Sequence, residues 1–295
     1  MQTVTETNKN ALVRLCDSNK YFLDLDRRCL DSLRYEVMAW PKPGLVSPVD
    51  SGSHRDMHLG TFFSSIDSLQ GSFAALASAG ARGCSFAALQ KIGIEAEQSM
   101  LKATGGINTH RGAIFNLGLL VAAAARRKSD STMTDYSCGE VVADVWGAEI
   151  LSGRDRSPAS HGNQVFEKYA TGGARMEAAS GFPTVYTIGL PILRKLLQNG
   201  YDRETALIGT LMTLMEHLPD TNLLWRGGKA GLAFVCQSAA NFNLSGGVES
   251  ARWQSRILAL HREFVVRNLS PGGSADLVAA TWTVHNIEAI SKRSN

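Results

Sequence analysis

The chain has little that would place it outside an ordinary cell interior. Its five cysteines, Cys16, Cys29, Cys84, Cys138 and Cys236, are odd in number, scattered and never in a C-x-x-C pair. Neither a disulfide framework nor a zinc knot is indicated, and reduced thiols in a cytosol fit best. No apolar run reaches the roughly 20 residues needed to span a bilayer. The most apolar one, 113–125, is broken by Asn116 and reads as a buried core helix. The opening MQTVTETNKN lacks the basic start and apolar core of a signal peptide, so a cytoplasmic protein away from membranes is expected. Thirty basic against twenty-seven acidic residues leave a net charge of only +3. With no clustered basic stripe, nucleic acid is not an expected partner, and Arg126, Arg127 and Lys128 read as a helix C-terminus. No G-x-x-x-x-G-K-[ST] sequence occurs, so any nucleotide is held without a P-loop.

What is present is helical periodicity. Leu59, Phe62, Ile66, Leu69, Phe73 and Leu76 follow steps of three and four and predict one long amphipathic helix. Shorter stripes occur at Leu30, Leu33 and Val37, at Leu207, Leu211, Leu214 and Leu218, and at Trp253, Ile257, Leu260 and Phe264. The punctuation agrees: Ser85 opens a helix that Gly105 ends, Ser137 and Glu140 form a capping box, Asp202 is an N-cap, and Asn199-Gly200 is a stop. Period-two alternation never lasts, which argues against a sheet. The reading is an all-α fold of about ten or eleven helices. Without linker or repeat, residues 20–295 form one catalytic domain, and residues 1–20 are expected to be loose.

Five connectors concentrate glycine with charged and amide residues: 40–57, 104–112, 171–183, 219–228 and 269–276. Glycine lets a backbone approach a ligand closely, and a helix starting after such a loop offers free N–H groups to an anion. Any one of these loops is explained by turn formation. Five together point to phosphate binding.

In order, PKPGLV (41–46), GSHRDM (52–57), GINTHRG (106–112), EAASGFP (177–183), DTNLLWRGG (220–228) and LSPGGSADL (269–277) resemble the words of the triphosphoribosyl-dephospho-CoA synthase family, which serves citrate lyase and malonate decarboxylase. The likeness runs from about Glu36 to His285. SPVDSGSH (47–54) looks more like the malonate decarboxylase branch. Ser51 stands where that phrase usually has Asn, and Arg111 where Lys is common. The resemblance implies an all-α enzyme that joins the triphosphoribosyl group of ATP to 3′-dephospho-CoA with release of adenine. It also implies Mg²⁺ accompanying ATP, a product passed by a separate transferase to an acyl-carrier subunit, and a homodimer as an open possibility.

Such a reaction is glycosyl transfer at C1′ of the ribose. It needs a carboxylate to deprotonate the attacking hydroxyl, an acid to assist the leaving base, and cations for the triphosphate. Glu177, between two glycine pairs, is the leading general base; its alternative is a helix-start carboxylate favoured by the macrodipole. Glu36, in the last turn of a helix ending before Pro41, is the second choice, and His54 is a further catalytic candidate. Asp56 is preferred for magnesium over an H-x-D-x-H zinc set with His54 and His58, with His58 read as surface. Asp220, Asn222 and Asp276 are the other metal candidates. Phosphate contacts are assigned to Lys42, His110, Arg111, Arg175, Arg226, Gly227, Gly228, Gly272 and Gly273, and to Ser274, which would cap a helix opening at Ala275. Two other readings stay open: a magnesium-dependent helical N-glycosidic hydrolase, and a non-enzymatic scaffold binding an acyl-carrier protein.

Overall fold

The computed structural model describes residues 2–152, 165, 168–169 and 171–291, with side chains described for 18–152, 165, 168–169 and 171–289. These form twelve α-helices and no strand: α1 (Gln2–Met38), α2 (Leu59–Ser68), α3 (Ser72–Ala81), α4 (Phe86–Ala103), α5 (Arg111–Ser129), α6 (Cys138–Ser152), α7 (Gly173–Ala179), α8 (Leu190–Gln198), α9 (Arg203–His217), α10 (Thr221–Leu244), α11 (Trp253–Val266) and α12 (Gly272–Ser291). No helix among them is long and apolar enough to cross a membrane. Cys29, Cys84, Cys138 and Cys236 are free thiols.

The most apolar stretch of the chain becomes the central helix. Nearly every residue of α5 from Ala113 to Ala125 is buried, and the helix packs against α3, α6 and α12. Its alanines present little side-chain bulk, so neighbouring backbones come close on several sides. Arg126, Arg127 and Lys128 sit in its last turn, where cations complement the dipole. Around it, Leu33, Phe73, Trp146 and Ile208 belong with Leu117 of α5 to one continuous apolar core.

Several helix N-termini are closed by carboxylates borrowed from other helices. Asp26 of α1 accepts from Gly71 N, Phe73 N and Ala74 N at 3.0, 3.0 and 3.2 Å, satisfying the start of α3. Glu149 of α6 accepts from Phe86 N at the start of α4, and Glu288 of α12 from Cys138 N at the start of α6. Each bond fills orphan donors and fixes one helix end against a distant element.

Local punctuation holds where side chains meet nearby backbone. Ser137 and Glu140 exchange capping-box bonds, Asp202 caps α9 through Thr205 N, and Asn199-Gly200 stop α8. Four expectations are corrected. The single helix expected over 59–76 is two, α2 and α3, because Gly71 adopts φ +85°, a left-handed conformation that breaks the rod while keeping both apolar stripes inward. This split helps raise the count to twelve. The stretches 171–183 and 219–228 are largely helical rather than loops, forming α7 and the start of α10, with a kink at Gly228 inside α10. Finally, α12 opens at Gly272, so Ser274 lies within its first turn instead of capping a helix at Ala275.

Candidate active site

One cavity of about 2340 Å³ is lined by the 39–58 connector, the first turns of α5, α7, α10 and α12, and one face of α4. It gathers every residue assigned a site role from sequence except Gly227, Gly228 and Ser274. Single drug-sized ligands occupy roughly 300 to 1,000 Å³, so this space accommodates two nucleotide-sized molecules.

Its carboxylates fall into two kinds. Asp220, fully buried, accepts from Asn222 N and Leu223 N with Oδ1 and from Ser274 N and Ser274 Oγ with Oδ2, capping α10 and α12 together. Glu177 accepts from Thr184 N and Thr184 Oγ1, both at 2.8 Å, at the start of the segment that leads into α8. Asp276 packs on the start of α5 so closely that a Cβ on Gly112 would lie 2.1 Å from its Oδ2. Burial raises all three carboxyls above the usual range. Hydrogen bonds oppose the rise in all three, from Ala113 N in the case of Asp276, where the negative charges of Glu36 and Asp220 add to it.

Glu36 differs. It is 7 % exposed and its Oε1 receives Lys42 Nζ at 2.7 Å, the same ammonium donating to the Glu36 carbonyl at 2.6 Å. Lys42 is thereby spent on a carboxylate. Among the described residues Oε2 of Glu36 has no hydrogen-bond partner, and the residue lines the cavity. The turn that delivers Lys42 is braced by His261, whose Nδ1 lies 3.1 Å from the Lys42 carbonyl and whose Nε2 lies 3.3 Å from Asp50.

The cations contrast with this. Arg226 Nη1 donates to Ser53 O and to Asn268 Oδ1, and its Nη2 donates to His54 Nδ1 at 3.1 Å. That bond leaves the imidazole proton on Nε2, which donates to Ser270 Oγ at 2.8 Å. Burial and the neighbouring guanidinium push the His54 pKa down to about 4, so the ring is neutral near pH 7 and both nitrogens are engaged. Asp56 is exposed, with a carboxylate oxygen 3.8 Å from His54. Arg226, Arg55 and Arg175 line the cavity with no carboxylate at ion-pair distance among the described residues. Arg175 donates to Ile150 O, and its Nη2 is buried without a partner. Arg111, by contrast, pairs with Glu97 at 3.0 Å. Uncompensated guanidinium groups in a concave wall suit phosphate.

Most of the residues singled out from the sequence therefore line one cavity, but their partners were not foreseen. Asn222, Gly272 and Gly273 line the cavity, the last against Asp220. Gly227 packs on Leu269 and Ser274 on Asp220, away from the opening. His58 is exposed and caps α2 through Gly60 N. No three His, Cys, Asp or Glu side chains among the described residues assemble as a metal cage. Asn116, Asn268, Arg55 and His261 were missed. Asn116 alone carried a signal, as the amide interrupting the most apolar run.

An all-helical protein with one large cavity suited to anionic, nucleotide-sized ligands is the class this fold and site define. Residues 23–295 match the CitG family, described as ATP:dephospho-CoA triphosphoribosyl transferase. A probable 2-(5''-triphosphoribosyl)-3'-dephosphocoenzyme-A synthase of Acinetobacter calcoaceticus is 37% identical over 289 residues, covering 98% of each chain. The synthase of Pectobacterium atrosepticum is 40% identical over 279 residues, covering 90% of this chain and 89% of that one. No solved structure matches the chain significantly. The chain belongs to the ATP:dephospho-CoA triphosphoribosyl transferase family and is a triphosphoribosyl-dephospho-CoA synthase, whose family reaction uses ATP and dephospho-CoA.

Proposed function

We propose that this synthase makes 2′-(5″-triphosphoribosyl)-3′-dephospho-CoA for malonate decarboxylase, with Glu36 as the base that starts the transfer. The observation carrying the chemistry is the difference between Glu36 and the two carboxylates that cap helix starts: both oxygens of Asp220 and of Glu177 are taken by protein donors, whereas Oε2 of the buried Glu36 has no hydrogen-bond partner among the described residues. Glu36 takes the proton of the dephospho-CoA 2′-hydroxyl. The oxygen then bonds to C1′ of the ATP ribose as the C1′–N9 bond breaks, and adenine leaves with the bonding pair and is protonated. Glu177 is the alternative base, but both of its oxygens are held by Thr184.

Arg226, Arg55 and Arg175 are assigned to the triphosphate, which survives intact. Magnesium is expected to arrive on the nucleotide, because it is bound mainly through phosphate oxygens and one or two carboxylates. Asp56, exposed at the cavity lining, is the carboxylate that fits this role; both oxygens of Asp220 are already taken. The malonate decarboxylase assignment rests on SPVDSGSH at 47–54. A separate transferase then loads the product onto an acyl-carrier subunit.

Incubation with ATP and dephospho-CoA, read by mass spectrometry, is expected to give free adenine and one triphosphoribosyl adduct. ADP or pyrophosphate in place of adenine would overturn the transfer. For the branch, gene deletion in the source organism is expected to abolish malonate decarboxylase activity; loss of citrate lyase activity instead would reassign it.

A further inference from the structure

Two polar atoms in the cavity wall are buried with nothing to bond. His110 is 3 % exposed and Asn116 is 2 % exposed, and Nε2 of the first and Oδ1 of the second have no partner. Both residues line the cavity, His110 at the N-cap of α5 and Asn116 in its second turn. Buried polar groups in native proteins are nearly always bonded, so an unpaired set facing one space points to a ligand that completes it.

The chemistry of the missing partner can be read from the pair. Thr109 Oγ1 donates to Ser65 Oγ at 2.7 Å, so the Ser65 proton goes to His110 Nδ1 at 2.6 Å. The ring proton must then sit on Nε2, an unpartnered buried donor on a residue that lines the cavity. Burial and Lys42 hold the His110 pKa down to about 3, so this donor is a neutral imidazole that does not change with working pH. Asn116 supplies an acceptor. The wall around them is apolar: Phe62 stands edge-on to the imidazole at 5.0 Å, and Ile114 and Phe115 lie on the turn between the two residues. An anion is a poor fit beside an unpaired carbonyl oxygen, and the unpaired guanidinium groups belong to other elements.

We propose that His110 and Asn116 form an adenine-reading subsite, His110 Nε2–H donating to a ring nitrogen of the base and Asn116 Oδ1 accepting from its 6-amino group. A single side-chain amide reads the adjacent donor and acceptor of adenine bidentately; here an amide oxygen and an imidazole N–H divide the same pair. The proposal refines the synthase reading and replaces the phosphate role for His110. Both substrates carry adenine, so the test separates the leaving base of ATP from the retained base of dephospho-CoA.

Asn116→Leu keeps the volume and removes the acceptor. It is expected to lower the kcat/KM preference for ATP over ITP by roughly 5- to 150-fold if the base of ATP sits here. It is also expected to raise Tm, because a buried unpaired amide is replaced by an alkyl group. Free adenine, titrated calorimetrically into wild-type protein, is expected to bind and to lose affinity in Asn116→Leu and in His110→Phe. Adenine inhibition competitive with ATP assigns the subsite to the leaving base, and inhibition competitive with dephospho-CoA assigns it to the acceptor. Equal adenine binding by wild type and both folded variants, or none by wild type, would overturn the proposal. Because calorimetry needs no turnover, adenine binding without transfer would sink the function while sparing the subsite.

Discussion

The scaffold helix ends and the cavity helix ends use one device, and comparing them shows which acids are free to react. Asp26, Glu149 and Glu288 close α3, α4 and α6, and none of the three carboxylates lines the cavity. Asp220 and Glu177 do the same at the cavity wall, through backbone N–H groups of α10, α12 and the segment entering α8. A buried carboxylate in the cavity is therefore not by itself a sign of chemistry. Glu36 breaks the pattern, being paired to an ammonium and near the C-terminal end of α1, where the dipole gives an anion no support.

The largest expected effect tests that distinction directly. Glu36→Gln leaves Lys42 bonded to the Glu36 carbonyl and an amide oxygen but removes the proton acceptor, so turnover should fall by roughly 10² to 10⁴. Glu177→Gln keeps an acceptor for Thr184 and should stay near the wild-type rate, with its loss seen in thermal stability. Steady-state kinetics on the two variants decides. A dead Glu177→Gln with an active Glu36→Gln would move the base to Glu177 and erase the comparison.

The scaffold side is probed by Asp26→Ala, which strands three N–H groups at the start of α3. A lost cap costs about 1 kcal/mol and stranded buried donors more, so a loss of about 2 to 4 kcal/mol is expected. Denaturant unfolding measures it, and KM for ATP should be unchanged. A shifted KM with intact stability would mean that scaffold and cavity ends are not separable.

How much of this was legible in the sequence follows from the range of each interaction. Helices and their local caps were readable because periodicity and bonds such as Asp202 to Thr205 N span a few residues. The break at Gly71 was not, because the apolar stripe continues through it and the carboxylate that stabilises it comes from Asp26, 45 residues away. Cavity-lining residues were picked out through glycine and charge in the connectors. Their partners were not: Asp220 meets Ser274 54 residues on, and Arg226 meets His54 172 residues back. A sequence displays an acid without displaying what already holds it. Asn116 shows the converse, since its meaning depended on the burial of its neighbours.

The smallest expected effect concerns His110 and works through pH. Burial first, then Lys42, lowers its pKa from 6.5 to about 3. Between those values the unfolded chain takes up a proton on this residue that the folded protein refuses. Its contribution to stability is thus fully present above pH 6.5 and is lost as pH falls toward 3, by about 1.4 kcal/mol per pH unit across the middle of that window. His54, lowered to about 4, acts in the same sense. The raised carboxyls of Asp220, Asp276 and Glu177 act in the opposite sense, since a native state that binds protons more readily gains stability on acidification. These groups remain in His110→Phe, so the difference between the two proteins isolates His110. Urea unfolding at pH 7, 6 and 5 should show wild type losing stability more steeply than the variant by about one proton's worth of slope, whatever the offset at pH 7. Parallel pH profiles would mean that His110 protonates as readily in the folded protein as in the unfolded one, and that its Nε2 is open to water.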